Sequence, residues 1–296
     1  MEESKARSAN LDKNSIFNVI NIFLLTVLAL LILYPFYNVL LVLIVSQKEY
    51  MQTPFMIFPK QITFEAYSFI FSNPRIHSGY INTFFILLVG VPYNMLITTC
   101  TAYALSRNDF PGKKMITSLV IFTMYFSGGL IPLYLLIKDI GLMNNIWSII
   151  LVSGANTFYM LLIRSYFLSI PSAVEESAKI DGANDIVILY RIMLPLAMPI
   201  MATIILFFSV DRWNEWFHAM LFIRGGDKWP LQMVLRSIIS STSVDMNNAG
   251  ITFDRNVFSD GVKMAAIFIT MAPIMVLYPF LQKYFMKGIM IGSEKS

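Results

Sequence analysis

Six stretches of this chain carry no lysine, arginine, aspartate or glutamate, and few folds are compatible with that pattern. They cover residues 14–47 (34 residues), 76–106 (31), 115–137 (23), 140–163 (24), 192–210 (19) and 264–282 (19). An uncharged apolar run of about 18 residues or more can cross the ~30 Å hydrocarbon core of a bilayer as a helix. Composition agrees: 14% of the 296 residues are charged, against about a quarter in soluble domains. A soluble core does not stack six such runs in one chain. The expectation is an all-α membrane protein with six transmembrane helices, resident in the lipid bilayer.

The charges between the runs predict orientation. The net charge of +4 is small, so basicity reads as topology and not as nucleic-acid binding. With the N-terminus in the cytosol, 12 of the 22 Lys and Arg fall inside and 10 outside. The short loop from Arg107 to Lys114, with three basic residues, votes most clearly for the inside. Six spans return the C-terminus to the cytosol. The first run is too long for a signal peptide and lacks a small-residue cleavage site, so it reads as an uncleaved span. As one helix it outreaches the bilayer and must tilt, bend near Pro35, or protrude. The predicted organisation is a tail at 1–14, a first helix and external segment at 15–79, a core of five further helices at 80–286, and a tail at 287–296. Within the core, residues 165–191 form an inside loop and 211–262 an outside one. Pro195 and Pro199 are expected in the first turns of the fifth span, where the amides lack helical partners.

Chemistry of the catalytic kind finds little support. Cys100 is the single cysteine and reads as a small apolar packer. His77 and His218 lack metal-ligand spacing to a second histidine or cysteine. No nucleophile–base pair stands out, and no catalytic or metal site is expected. A phosphate-cradling loop of the Gly-x-x-x-x-Gly-Lys-Ser/Thr type is missing, so the chain binds no nucleotide cofactor of its own. Ser127, Gly128 and Gly129 lie within an apolar run and read as close packing or a kink.

The exception to this uniformity is a polar island between the fourth and fifth runs. Pro171 and Ser172 start a helix. Ser172 is placed to cap it, with Glu175 completing a capping box, and Glu175 and Glu176 face the positive end of the helix dipole. About ten residues on, Gly182 supplies a left-handed stop, and Asn184 can cap the next helix. A helix this short needs a surface to lie on. Ala173, Ser177 and Ala178 keep it narrow, and its acids argue against a rest on lipid headgroups. A docking role for another protein is the better reading.

Glu176, Ser177, Ala178, Asp181, Gly182, Ile192, Leu194 and Pro195 resemble the signature loop of integral-membrane permease subunits of binding-protein-dependent ABC importers. In that family Glu-Ala-Ala is followed after three residues by Gly and after nine more by Ile-x-Leu-Pro. The departure is Ser177 for alanine. The segments 102–113, 129–134, 213–217 and 282–292 are similar to the maltose-type carbohydrate branch, and most similar to its group for oligosaccharides from complex polysaccharides.

The resemblance implies the type I ABC importer permease fold in the bacterial cytoplasmic membrane. It also implies a heterodimer with a second permease, an extracytoplasmic solute-binding protein, and a dimeric cytosolic ATPase that binds ATP and Mg. Glu175, Glu176, Ser177, Ala178, Asp181, Gly182 and Pro195 would couple the chain to that ATPase, with Lys287 to Ser296 near it as well. The carbohydrate path would run past Trp213, Asn214, Trp216 and Phe217, and past Tyr80 and Asn82. The same residue types also make an interfacial aromatic belt, and the sequence leaves both readings open. The loop 224–260, above all 240–248, would reach the binding protein. The alternative function is an ion-gradient-driven secondary transporter or channel, which usually places ionisable groups within its spans. By this reading Asp211, Arg212 and Glu215 sit only at a membrane edge.

Overall fold

Prolines and glycines decide where these helices run straight and where they break. The computed structural model describes residues 2–52, 56–240 and 260–276, which are almost wholly helical. They form two compact units, one from residues up to 72 together with 260–268, the other from 73–240 together with 269–276.

In the first unit, α1 (Glu2–Leu43) is a single helix of 42 residues that passes through Pro35 without ending, about 63 Å long at 1.5 Å per residue. Residues 17–36 are exposed on every side. A helix that is apolar all round and exposed all round belongs in lipid. The segment after it is more ordered than expected. It holds two short helices, α2 (Gln47–Gln52) and α3 (Glu65–Ser72). The Glu49 carboxylate accepts from the amides of Lys60 (2.6 Å) and Gln61 (3.2 Å), while Val45 and Ile62 form an isolated antiparallel bridge. Tyr67 stacks on Phe71 and meets the edge of Phe268.

In the second unit, α4 (Pro74–Ser106) is 33 residues long. It begins at Pro74, not near Tyr80. The Asn73 side chain accepts from the Arg75 amide, and Pro74 takes the first helical position, where its missing N–H costs nothing. A π-helical turn at Ile86–Gly90 interrupts α4 just before Pro92. The same device recurs in α10 (Asp185–Leu196), whose π turn at Leu189–Met193 stands just before Pro195. Each proline removes an amide and crowds the carbonyl four residues back, and a widened turn relieves both.

Pro195 therefore lies in the last turn of its helix, not in a first turn as expected. Pro199 does occupy the first turn, but of the next segment, α11 (Met198–Trp213), which leaves α10 at 86°. Two other expected spans are also bent pairs. The helices α5 (Lys113–Tyr125) and α6 (Leu130–Asp139) meet at 108° around Ser127, Gly128 and Gly129, so the kink reading of that tripeptide holds. The helices α7 (Ile146–Val152) and α8 (Thr157–Ser169) meet at 47°. Beyond α11 the described part of the anticipated external loop contains two helices, α12 (Phe217–Phe222) and α13 (Leu231–Ser240), joined by non-helical segments. The sixth run is helical over 264–276. Its remainder, the tail 287–296 and most of the loop segment 240–248 lie outside the described residues.

The core of this unit includes a cluster of Ile86, Ile149, Ile150, Ala219, Ile223 and Met233 and a larger one. Val91, Met95, Ala102 and Leu105 of α4 pack on Met160, Ile163 and Phe167 of α8, with Ile188 and Met193 of α10 and Met201, Ile204 and Phe208 of α11. Buried polar side chains (Thr83, Asn94, Thr98, Thr99, Ser148 and Thr203) are threaded through these interfaces. In lipid, where apolar burial drives little, such groups and close packing hold helices together.

Candidate functional site

The polar island folds as a helix, a glycine corner and a second helix. After α8, Pro171 turns the chain into α9 (Ser172–Ile180). The expected capping box does not form: Pro171 is the cap residue, Ser172 is already helical, and no side chain caps the first turn. The Glu175 carboxylate is taken elsewhere. It pairs with Arg107, at the end of α4, and with Lys179 one turn on at 3.1 Å. The other end matches expectation. Gly182 has φ +80, its amide donates to the Lys179 carbonyl (3.0 Å), and the Ala183 amide donates to Ala178 (2.9 Å). This double closure at a left-handed residue is the Schellman stop, for which glycine is suited. The Asn184 side chain then accepts from the Val187 amide at 2.9 Å and starts α10.

Helical spacing divides α9 into two faces. Glu175 and Ala178 face inward, with Lys179 exposed at the edge of that face. Ala178 is buried in the core cluster, and Lys179 donates to Asp109 at 3.1 Å. That ammonium, and then a backbone hydrogen bond, hold the Asp109 carboxyl below the usual carboxylate range. A depressed carboxylate supports the fold above its ordinary pKa and loses that support as pH falls through the lowered value. Glu176, Ser177, Ile180, Asp181 and Gly182 are exposed, and Ile180 is 86% accessible, a bare aliphatic side chain beside two exposed acids, a surface of the kind a partner covers. Pro195 is exposed and lies some distance along α10.

The second group of expected residues is held largely by its own fold. Trp213 is 5% exposed; its indole N–H donates to the Thr270 carbonyl at 3.3 Å, and its ring meets Tyr80 and Phe84 edge-on. The Tyr80 hydroxyl donates to Ile269 at 2.7 Å. The Asn82 amide donates to the carbonyls of Asp227 (2.8 Å) and Trp229 (3.1 Å). Asn214 is exposed; it donates to Val210 and accepts from Gln232. Arg236 lies over the Trp216 ring at 3.9 Å, and Phe217 is exposed beside it. Tyr80 and Trp213 are thus brought together, and Asn82 is not in their contact set. His218 Nδ1 lies 3.0 Å from Glu215 and 3.4 Å from the Ser153 hydroxyl. Both contacts fall on one ring nitrogen, so the ring does not bridge serine to carboxylate as a nucleophile relay requires.

Sequence reasoning missed a side chain that makes four hydrogen bonds among the described residues. Arg212, expected at a membrane edge, is 2% exposed. Its guanidinium donates to Asn94 Oδ1 (2.9 Å) and to the carbonyls of Ile149 (3.0 Å), Ile150 (2.9 Å) and Ser153 (3.0 Å). The carbonyls of Ile149 and Ile150 belong to the last turn of α7 and Ser153 is its cap residue, where the chain breaks before α8 and helical partners run out. Asn94 also donates to Ser153 and, at 2.8 Å, to Gly154. Space for the guanidinium comes from Gly90, where a Cβ would lie 3.2 Å from Arg212 Nε. A polar cavity of about 180 Å³ adjoins it, lined by Ser153, Asn156, Asp211 and Glu215 among others. The available signals were an arginine two residues past an apolar run and an asparagine in the middle of another.

Residues 13–291 match the family described as binding-protein-dependent transport system inner membrane component. Protein LplC of Bacillus subtilis (strain 168) is 39% identical over 286 residues, 97% of each chain. The polygalacturonan/rhamnogalacturonan transport system permease protein YtcP of the same organism is 36% identical, over 96% of this chain and 99% of its own. A crystal structure of a bacterial ABC transporter involved in the import of the acidic polysaccharide alginate contains a chain that superposes with a TM-score of 0.86 at 35% identity, covering 92% of this chain and 98% of that one. The protein belongs to the binding-protein-dependent transport system inner membrane components, the permease subunits of ABC importers.

Proposed function

We propose that this chain is one of two permeases that conduct an oligosaccharide into a bacterial cell, and that α9 receives the motion of a cytosolic ATPase. The supporting observation for the motor contact is the exposed face of α9, with Glu176 and Ile180 bare and the Gly182 corner behind them. In this arrangement six spans cross the cytoplasmic membrane with both termini in the cytosol. ATP and Mg are bound by the ATPase dimer, and a solute-binding protein delivers the sugar outside. The full-length likeness to the family supports the reading.

The relatives support a substrate class. Polygalacturonan and alginate are both polyuronates, and the proteins linked to them are 36% and 35% identical to this one. We assign this importer to oligosaccharides released from acidic polysaccharides. The test is the reconstituted complex with its binding protein, offered galacturonate and mannuronate oligomers beside neutral glucan and arabinan oligomers. Uronate oligomers are expected to stimulate ATP hydrolysis at least about tenfold more than the neutral ones, a difference of about 1.4 kcal/mol. Equal stimulation by neutral oligomers would overturn the class.

The motor contact is tested by Glu176→Ala. Loss of a charged group at the centre of an interface costs about 2 kcal/mol or more. The variant is therefore expected to insert normally and to lower transport by more than about tenfold, with weaker retention of the ATPase on co-purification. Normal transport and retention would remove α9 from the coupling path.

A further inference from the structure

The two adjacent acids of α9 stand in opposite situations. Glu176 is exposed, whereas Glu175 turns inward to a guanidinium that is itself 7% exposed. Arg107 is the first residue beyond α4, its amide bonded to the Ala104 carbonyl. Its guanidinium lies 4.9 Å from the centroid of the Tyr103 ring, and Tyr103 belongs to the core cluster. Charge then alternates along the contact: Arg107, Glu175, Lys179 and Asp109, with 3.1 Å at both of the last two links. The series begins and ends in the loop that follows α4. Arginine suits this position because its planar, permanently charged group stacks on a ring and pairs with a carboxylate at once.

We propose that Arg107 is the positioning residue of the coupling helix, tying α9 to the end of α4 through Glu175. The proposal rests on the motor role given to α9 above, and it divides the two acids: Glu176 meets the ATPase and Glu175 holds the helix to its own chain. Without this tie α9 keeps the turn at Pro171, the glycine corner at Gly182, the packing of Ala178 and the exposed Lys179–Asp109 pair, and nine residues of helix have no stability of their own. A push on such a helix would be absorbed at the corner. With the tie, the displacement reaches α4 directly, and α4 packs along α8 through the core cluster. An ion pair of which one member is nearly buried transmits well because separating it strands a desolvated charge.

The test is a double-mutant cycle on the full importer in liposomes, with binding protein and a galacturonate trisaccharide as cargo, read as sugar moved per ATP hydrolysed. Arg107→Ala and Glu175→Ala are each expected to lower that ratio about tenfold, and the double variant no further, because both remove the same interaction. Glu176→Ala is run beside them. Multiplying losses in the double variant would overturn the proposal. So would single variants with the parent ratio while Glu176→Ala collapses it, an outcome that leaves the motor role of α9 standing. A parent ratio in all variants, Glu176→Ala included, would overturn both. If Arg107→Ala fails to assemble with the ATPase, Glu175→Gln is read instead, since it keeps the volume and removes the charge. The same tenfold loss is expected from it, and an unchanged ratio overturns the tie.

Discussion

Arg212→Ala is expected to destabilise the helical core by about 3 kcal/mol or more, because four buried acceptors lose a charged donor at about 1.5–3 kcal/mol for each such bond, and so to abolish recovery of folded protein. The guanidinium closes the carbonyls at the end of α7, at Ile149, Ile150 and the cap residue Ser153, and accepts the orientation that Asn94 gives it. The positive charge also opposes the negative end of the α7 dipole. Arg212→Lys keeps the charge but offers one nitrogen where four acceptors wait, and an intermediate loss is expected. Asn94→Ala removes one acceptor and two donated bonds and should cost about 1–3 kcal/mol. The measurement is the yield of monodisperse complex and its thermal unfolding midpoint in detergent. An Arg212→Ala complex with the parent's yield and midpoint would show that the break between α7 and α8 holds without this side chain.

That node also shows where a sequence stops being legible. The apolar runs were readable because lipid imposes one local rule on every residue within a span. The helix, corner and helix of the island were readable because Gly182 and Asn184 act on atoms within five residues of themselves. What escaped was decided by residues distant in the chain. The capping box failed because Glu175 has a stronger partner in Arg107, and no local pattern announces that pairing. Arg212 looked peripheral because its position follows an apolar run, yet its partners lie on α4 and α7. Tyr80, Asn82 and Trp213 fitted a sugar path by residue type alone, but each has polar atoms bonded to backbone carbonyls of its own chain. The prolines gave a mixed result. They marked points of disturbance correctly, and a π turn precedes both Pro92 and Pro195, but no local pattern announces that the chain also turns by 86° just after Pro195.

Gly182→Pro is expected to abolish transport with little effect on membrane insertion. At φ +80 the corner lies opposite to the value near −65° that a proline ring imposes. The substitution also deletes the amide that donates to Lys179 at 3.0 Å. It disfavours as well the helical-side conformation of Asp181, at φ −72 and ψ 3, because a residue before proline is pushed toward extended backbone. These effects add to about 3 kcal/mol or more, larger than a nine-residue helix can absorb. Two milder variants separate backbone strain from crowding. Nothing lies within 4 Å of a Cβ built at Gly182, so Gly182→Ala costs only its left-handed backbone, about 1 kcal/mol. Gly182→Asn costs less, because asparagine tolerates that region. Transport per ATP should therefore fall in the order glycine, asparagine, alanine, proline. If the corner acts only as a spacer, the parent and the two variants with an intact amide will transport alike and proline alone will fail. If the left-handed turn aims α9 at its motor, the losses will be graded, because each substitution populates the misdirected corner in proportion to its strain. A Gly182→Pro importer that assembles with its ATPase and transports at the parent rate would mean that the corner takes no part in coupling.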